Sequence, residues 1–124
     1  MYLSKLPENE IIVMRIIWDN GKNINSDTIV AEFNKQKSWE RPAILTILKR
    51  LERKGFVSCC KDGRHNVYNA VVTEKDYLEF ESKIFLERIC GNSLKKFVVT
   101  LYSNNNISKQ DLEELKQFIE EEAE

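Results

Sequence analysis

The sequence predicts a mainly α-helical fold with one small β-hairpin. Three amphipathic segments come first, each with apolar residues at the spacing of a helix. Two runs with strand character then flank an Asp-Gly pair, and the rest of the chain returns to helical periodicity. Three helices followed by a hairpin within residues 1–72 is the order of a winged helix-turn-helix domain.

The first two predicted helices lead into the helix-turn-helix. The first helix runs from Pro7, which suits a first helical turn, to Asp19, and Asn20-Gly21 ends it. Asn25 or Ser26 can cap the second helix. We expect the second and third helices to form the helix-turn-helix pair.

The third predicted helix has two distinct faces. It begins near Arg41-Pro42 and ends before Gly55, which supplies a left-handed stop. One face is an apolar stripe at i, i+3, i+4 and i+7, made of Ile44, Ile47, Leu48 and Leu51. The other face carries Leu45, Thr46, Lys49 and Arg53, with Arg50 beside it.

A β-hairpin is predicted directly after this helix. Phe56 to Lys61 forms one strand, Asp62-Gly63 the two-residue turn, and Arg64 to Val72 the other strand. Asp-Gly between two extended runs is a strong hairpin signal. This hairpin would be the wing.

Residues 73–124 are predicted to be helical. Thr73 and Ser108 each precede an Asp by three residues, as in a capping box, and Ser93 to Tyr102 forms a helix between them. We therefore expect a winged-helix DNA-binding domain at 1–72 and a helical dimerisation domain at 73–124.

Charge is divided unevenly along the chain. Residues 1–72 carry a net charge of +4 and residues 73–124 a net charge of -5. From position 41 to 64 there are seven basic residues and two acidic ones. A basic helix followed by a basic hairpin attracts phosphate, so double-stranded DNA is the expected partner.

The candidate DNA-binding side chains divide by reach. Side chains at the start and middle of the third helix are expected to contact base edges, and those further along it to contact phosphates. The first group is Arg41, Thr46 and Lys49, with Leu45 if it is exposed; the second is Arg50 and Arg53. On the wing, Arg64 and His65 are expected to contact the backbone or an adjacent minor groove. The alternative is that these charges are only a solvated surface.

The acidic half indicates self-association. Short amphipathic helices bury little apolar surface alone, and pairing with a second copy would bury more of it. A twofold dimer would also place two recognition helices on a palindromic site. The expected dimerisation residues are Phe85, Ile89, Leu94, Phe97, Val98, Leu101, Leu112, Leu115, Phe118 and Ile119. The alternative is that these helices fold back on their own winged domain.

Other function classes find less support. The single histidine and the lack of a nucleophile motif argue against an enzyme, and no cofactor or metal is expected. Cys59, Cys60 and Cys90 form no CxxC pair, so free thiols are expected, with a redox or metal role for the adjacent pair as the alternative. No apolar run approaches the roughly 18 residues that a membrane helix needs, and the N-terminal residues lack the apolar core of a signal peptide. Both observations favour a cytoplasmic protein. A winged-helix module that binds only proteins remains the rival function.

The run Thr46-x-Leu48-x-Arg50-Leu51-x-x-Lys54-Gly55 is the most specific of several motifs that resemble the penicillinase repressor family, and its BlaI and MecI branch more than its copper-responsive branch. Looser matches are Glu10 with Trp18, Trp39-x-Arg41-Pro42-Ala43-Ile44, Tyr68, Phe85-Leu86, Gly91 and Leu112-Glu113-Glu114-Leu115. The resemblance covers nearly the whole chain.

The resemblance implies a winged-helix dimer that represses transcription, in some members at β-lactam-resistance operons. It also places position 43 among the DNA contacts, where the family usually has threonine and this chain has Ala43. In the β-lactam-responsive members a membrane sensor protease triggers cleavage of an Asn-Phe bond in the dimer helices. The matching bond here is Thr100-Leu101. The paired CxC ligands of the copper-responsive members do not occur in this sequence.

Overall fold

The computed structural model describes residues 3–123; residues 1, 2 and 124, at the outer ends of the two predicted domains, lie outside it. The chain contains six α-helices and three β-strands over the described residues. They are α1 (Glu8–Asn20), β1 (Ile24–Asn25), α2 (Ser26–Asn34), α3 (Arg41–Arg53), β2 (Val57–Asp62), β3 (His65–Ala70), α4 (Glu74–Ile89), α5 (Leu94–Ser103) and α6 (Lys109–Glu122). The predicted fold class is confirmed.

The residues fall into two compact units, and the boundary between them along the chain lies between Glu81 and Ser82, inside α4. The domain boundary predicted from the sequence is earlier, between residues 72 and 73, where the predicted helical region begins. The first turns of α4 belong to the first unit because Tyr77 is buried in its core. The hydroxyl of Tyr77 accepts a hydrogen bond of 2.8 Å from the backbone N–H of Leu6.

The core of the first unit lies between the three helices and the small sheet. The predicted stripe of α3 is fully confirmed, since Ile44, Ile47, Leu48 and Leu51 are all buried. Apolar residues of α1 and α2 meet them there, among them Val13, Ile17, Ile29 and Phe33. This burial fixes which face of α3 is left for solvent.

The sheet contains one strand that the sequence analysis did not predict. β1 pairs antiparallel with β3, with Ile24 opposite Tyr68 and Asn25 opposite Val67. The strand order is β1-β3-β2. Asn25 ends β1 and caps α2, its side-chain oxygen accepting from the N–H of Thr28 at 2.9 Å. The wing is thereby joined to the start of the helix-turn-helix.

The position predicted for the hairpin turn is wrong by one residue. Asp62 pairs with His65 as the last step of the β2–β3 ladder, so the two-residue loop is Gly63-Arg64 rather than Asp62-Gly63. Gly63 has φ of +66° and Arg64 is not among the residues of positive φ. Glycine at the first loop position is typical of a type II′ turn, whereas an Asp-Gly loop favours type I′.

The second unit consists of the rest of α4 together with α5 and α6. Ser93 caps α5, and Ser108 and Asp111 form a complete capping box at α6. Phe85 and Phe97 pack edge to face with ring centroids 5.1 Å apart. Among residues 82–123 only Cys90 is buried, so this unit has almost no core of its own.

Candidate nucleic-acid interface

Helix α3 presents polar and basic side chains on the face opposite its buried stripe. Arg41, Thr46, Lys49, Arg50 and Arg53 are all exposed. The Thr46 hydroxyl donates to the carbonyl of Pro42 at 2.9 Å, which leaves its oxygen free to accept.

Two other predicted contacts of this helix are less accessible. Ala43 and Leu45 are half-buried, and Leu45 packs against the core of the first unit. The sequence expected Leu45 to contact DNA if it were exposed. Because Leu45 is half-buried, only part of its side chain is accessible for such a contact.

Both ends of α3 are set by local sequence. Pro42 sits in the first turn, where a missing N–H costs no hydrogen bond. At the other end Gly55 adopts a φ of +81°. The N–H of Gly55 bonds to Glu52 O at 3.0 Å and that of Phe56 to Leu51 O at 2.9 Å, which is a Schellman motif. This stop directs the chain from α3 straight into the wing.

The wing carries the remaining predicted contacts. Arg64 and His65 are exposed, one in the loop and one at the start of β3. Lys61 on β2 is also exposed. The hairpin thus adds positive charge beyond α3 within the same unit.

Asp27 is a residue of this surface that the sequence analysis missed. Its carboxylate accepts a hydrogen bond of 2.7 Å from Arg41 and lies 3.7 Å from Nδ1 of His65. Arg41 also donates to the hydroxyl of Ser26 at 3.0 Å. Asp27 lies 14 positions from Arg41 and 38 from His65, so no local sequence pattern indicates these contacts. Predicting β1 as a strand paired with the wing would have indicated that the start of α2 lies near His65.

One of the seven basic residues is engaged elsewhere. Lys54 donates to the buried carboxylate of Glu10 at 2.6 Å, which ties the end of α3 to α1. The exposed cations left for a polyanion are Lys49, Arg50, Arg53, Lys61 and Arg64, together with the paired Arg41.

Tyr68 and Tyr77, both buried in the first unit, add no negative charge at neutral pH. Burial raises the pKa of Tyr68 to about 12, and hydrogen bonding to the Cys59 thiol acts in the same direction. Burial likewise raises the pKa of Tyr77 to about 12, aided by Glu81. Both phenols therefore stay protonated at neutral pH.

Within residues 3–123, no three His, Cys, Asp or Glu side chains are grouped so that they could hold a metal ion. The three cysteines are free thiols, Cys60 exposed, Cys59 half-buried and Cys90 buried. Of the helices between residues 3 and 123, none has the length and apolarity to cross a bilayer.

The predicted dimerisation residues lie in the second unit and none of them is buried. Five are exposed and five are half-buried. The exposed ones are Phe85 at 41%, Ile89 at 61%, Leu94 at 57%, Phe118 at 58% and Ile119 at 52%. The half-buried ones are Phe97, Val98, Leu101, Leu112 and Leu115.

Comparison with known proteins identifies the family. A family model described as the penicillinase repressor matches residues 6–121. The chain belongs to the penicillinase repressor family. Membership makes it a transcriptional repressor rather than an enzyme, and the resemblance seen in the sequence is confirmed.

Two relatives show how far the similarity extends. The penicillinase repressor of Bacillus licheniformis is 33% identical over 119 residues, covering 96% of this chain and 92% of that one. The methicillin resistance regulatory protein MecI of Staphylococcus aureus strain N315 is 30% identical over 107 residues, covering 86% of each. Both alignments are long enough to include the wing and at least part of the second unit.

Two solved structures each match about three fifths of this family member. The solution structure of the DNA-binding domain of the repressor BlaI is 34% identical with a TM-score of 0.53, and the match covers 59% of this chain and 88% of that one. The monomeric form of Bacillus licheniformis BlaI, solved in complex with the blaP half-operator, is 33% identical with a TM-score of 0.53, covering 61% and 92%. The winged-helix fold is confirmed.

Proposed function

We propose that this repressor binds a twofold-symmetric operator as a homodimer, inserting α3 into the major groove and laying the wing on the adjacent backbone. The observation that carries the proposal is the exposed basic face of α3, continuous in sequence with a basic wing, in a chain similar to a protein solved on a half-operator. A helix with one buried and one basic face suits a major groove. The same observation favours DNA binding over a module that binds only proteins.

The contacts divide by position along α3. Arg41, near its start, together with Thr46 and Lys49 in its middle, would reach base edges. Arg50 and Arg53, with Arg64 and His65 of the wing, would contact phosphates and fix the register. At position 43 the small side chain of Ala43 would lack the contact that the family's usual threonine would make with a base.

The homodimer is supported by the apolar surface of the second unit. Phe85, Ile89 and Leu94 are large apolar side chains with more than a third of their surface exposed, and Phe118 and Ile119 on α6 are similar. A second unit that exposes this many large apolar side chains and buries almost none is typical of an interaction surface. A second copy would cover the same face on both chains and place two α3 helices on one operator.

Binding to DNA and self-association can be tested together. A fluorescence gel-shift titration against the chain's own upstream promoter region, repeated at several salt concentrations, should show a steep loss of affinity with salt. Sedimentation equilibrium of the free protein should give a dimer. Salt-insensitive binding, or a monomer at all concentrations, would refute the corresponding half of the proposal.

We also propose that repression is relieved by proteolysis in the second unit, at or near the Thr100-Leu101 bond, after activation of a membrane sensor protease. Thr100 is exposed, but its carbonyl accepts from the N–H of Asn104 at 3.3 Å and its hydroxyl donates to Lys96 O at 2.8 Å. The bond therefore lies in the last turns of α5, and a protease would have to unwind that turn.

Mass spectrometry of the protein recovered from its host cells would test this relief mechanism. After a β-lactam challenge, a fragment ending at Thr100 is expected, and derepressed genes should include resistance genes. Intact protein from fully derepressed cells would exclude the mechanism. A sensor protease encoded next to the repressor gene would support it.

A further inference from the structure

An acidic side chain sits within the basic surface at the point where α2, α3 and the wing meet. Asp27 contacts Arg41 of α3 at 2.7 Å and approaches His65 of the wing at 3.7 Å. A carboxylate close to a phosphate-binding surface repels DNA, so it needs a compensating role. Its contacts indicate what that role is.

The placement of Asp27 is enforced by the backbone. β1 pairs with β3 with Asn25 opposite Val67, and α2 begins at Ser26 directly after β1, so Asp27 in the first turn of α2 lies beside the start of β3, where His65 is 3.7 Å away. The Asn25 cap fixes the first turn of α2 at the same point. Asp27 is therefore held at the wing whether or not Arg41 is present.

Arg41 is held on two sides. Nη1 donates to Asp27 Oδ1 at 2.7 Å and Nη2 to Ser26 Oγ at 3.0 Å. Ser26 is 4% exposed, so its hydroxyl is a rigid acceptor. A guanidinium has five N–H donors, and these two bonds leave three of them for another partner.

We propose that Asp27 is a positioning residue that holds Arg41 in the orientation needed to read a base, and so sets operator specificity. This inference rests on the proposed DNA-binding function. An unrestrained arginine loses rotamer freedom when it binds, and a pre-ordered one has already lost it. Asp27 also neutralises Arg41, which makes that side chain a weaker partner for phosphates of any sequence.

The Asp27→Asn variant removes both the ordering of Arg41 and the neutralisation of its charge, and these two losses have opposite effects on the affinity for DNA. Arg41 becomes free to contact an extra phosphate, so non-specific DNA should bind more tightly. The slope of log affinity against log salt on such DNA should steepen by about 0.9, the value for one phosphate. Discrimination between operator and non-specific DNA should fall by about tenfold, the order of one good base contact.

The experiment compares two duplexes in a double-mutant cycle. One duplex is the sequence that the wild-type protein enriches from a randomised library, and the other is a scrambled duplex of equal composition. Affinities are measured for wild type, Asp27→Asn, Arg41→Ala and the double variant. We expect the ratio of affinities to fall about equally in all three variants, because Asp27 acts only through Arg41.

Glu32→Gln is the matched control. It removes the same charge from the same helix and breaks an ion pair of 3.0 Å with Lys35, which lies outside α3 and the wing. It should leave the affinity ratio unchanged, and thermal melts should show all variants folded. An unchanged ratio in Asp27→Asn, or losses that add in the double variant, would overturn the inference. If the wild type enriches no sequence at all, the proposed function fails instead.

Discussion

Lys54 donates its ammonium to the carboxylate of Glu10 across 2.6 Å, joining the end of α3 to the first turn of α1. Glu10 is 4% exposed, whereas the side chain of Lys54 is 35% exposed. The carboxylate has thus been removed from water and depends on this one cation. The pair fixes how α3 sits on the body of the first unit, and through it how the candidate DNA surface is presented.

Lys54→Met should therefore destabilise the first unit by about 2 to 3 kcal/mol. Breaking a fully buried pair costs roughly 3 to 5 kcal/mol, and the partial exposure of Lys54 reduces this. Urea unfolding followed by circular dichroism would measure the change. Lys35→Met, which breaks the exposed pair with Glu32, should cost less than about 1 kcal/mol. Equal losses in the two variants would show that the Glu10 pair is not special.

Arg50→Ala should weaken binding to every DNA sequence to a similar extent and reduce the salt slope by about 0.9. The reason is that Arg50 is exposed on the part of α3 assigned to phosphates. Thr46→Ala should instead change sequence preference, since it is assigned to bases. Parallel selections from a randomised library with both variants would distinguish these effects. A change of preferred sequence in Arg50→Ala would contradict the assignment.

Phe118→Glu should convert the proposed dimer to monomers without unfolding the chain. The side chain is 58% exposed in a single chain, so a charge there meets water unless a second copy covers it. Burying one Phe contributes about 1.5 to 3 kcal/mol, and the twofold interface buries it twice, so the dissociation constant should rise about a hundredfold or more.

Sedimentation would measure that constant, with Gln117→Glu as a control that adds the same charge at the neighbouring position of α6. The control should remain dimeric. If Phe118→Glu also remained dimeric at micromolar concentration, α6 would lie outside the interface.

The first unit should lose stability in alkali through Tyr68 and Tyr77. Folding raises the pKa of each from 10.0 to about 12, with burial as the leading cause. The folded state then holds protons that the unfolded chain releases. This contribution is complete below about pH 10 and disappears as the pH rises to about 12. Thermal melts across that range, with phenolate absorbance recorded in parallel, would detect it.

Tyr77→Phe should make the alkaline loss of stability shallower, because one of the two titrating phenols is gone. The variant should also be less stable at neutral pH, since the N–H of Leu6 loses its acceptor at 2.8 Å. An alkaline profile with the wild-type slope would mean that Tyr77 does not titrate in this range.

The capping box of α6 should respond to acid. Hydrogen bonds from the backbone and side chain of Ser108 lower the pKa of Asp111 below its usual 3.8. Because the pKa of Asp111 is lower in the folded helix than in the unfolded chain, its carboxylate stabilises the helix at pH values above the unfolded-state pKa. This stabilisation is lost as the pH falls through the folded-state pKa. Ser108→Ala should raise the pKa of Asp111 part of the way back, because only the backbone donor remains. Carboxyl chemical shifts followed by NMR would measure this, and an unchanged shift would refute the side-chain contribution.

Local physics made much of the first unit predictable. The buried stripe of α3, the cap at Asn25 and the left-handed stop at Gly55 each depend on residues within one or two turns of each other, so they can be read from spacing. The hairpin was predicted for the same reason. Its turn was misplaced by one residue because cross-strand pairing of Asp62 with His65 sets the register, and that pairing depends on the packed sheet.

The sequence by itself thus determined the family, the fold class and which side chains make up the basic surface. Only the tertiary structure decided how those charges are used: Lys54 turns to a buried carboxylate on α1, and Arg41 is held by Asp27 beside the wing. The physical reason is distance along the chain. Residues 44 and 14 positions apart meet only after the helices pack and β1 joins the sheet, and no local periodicity records those contacts.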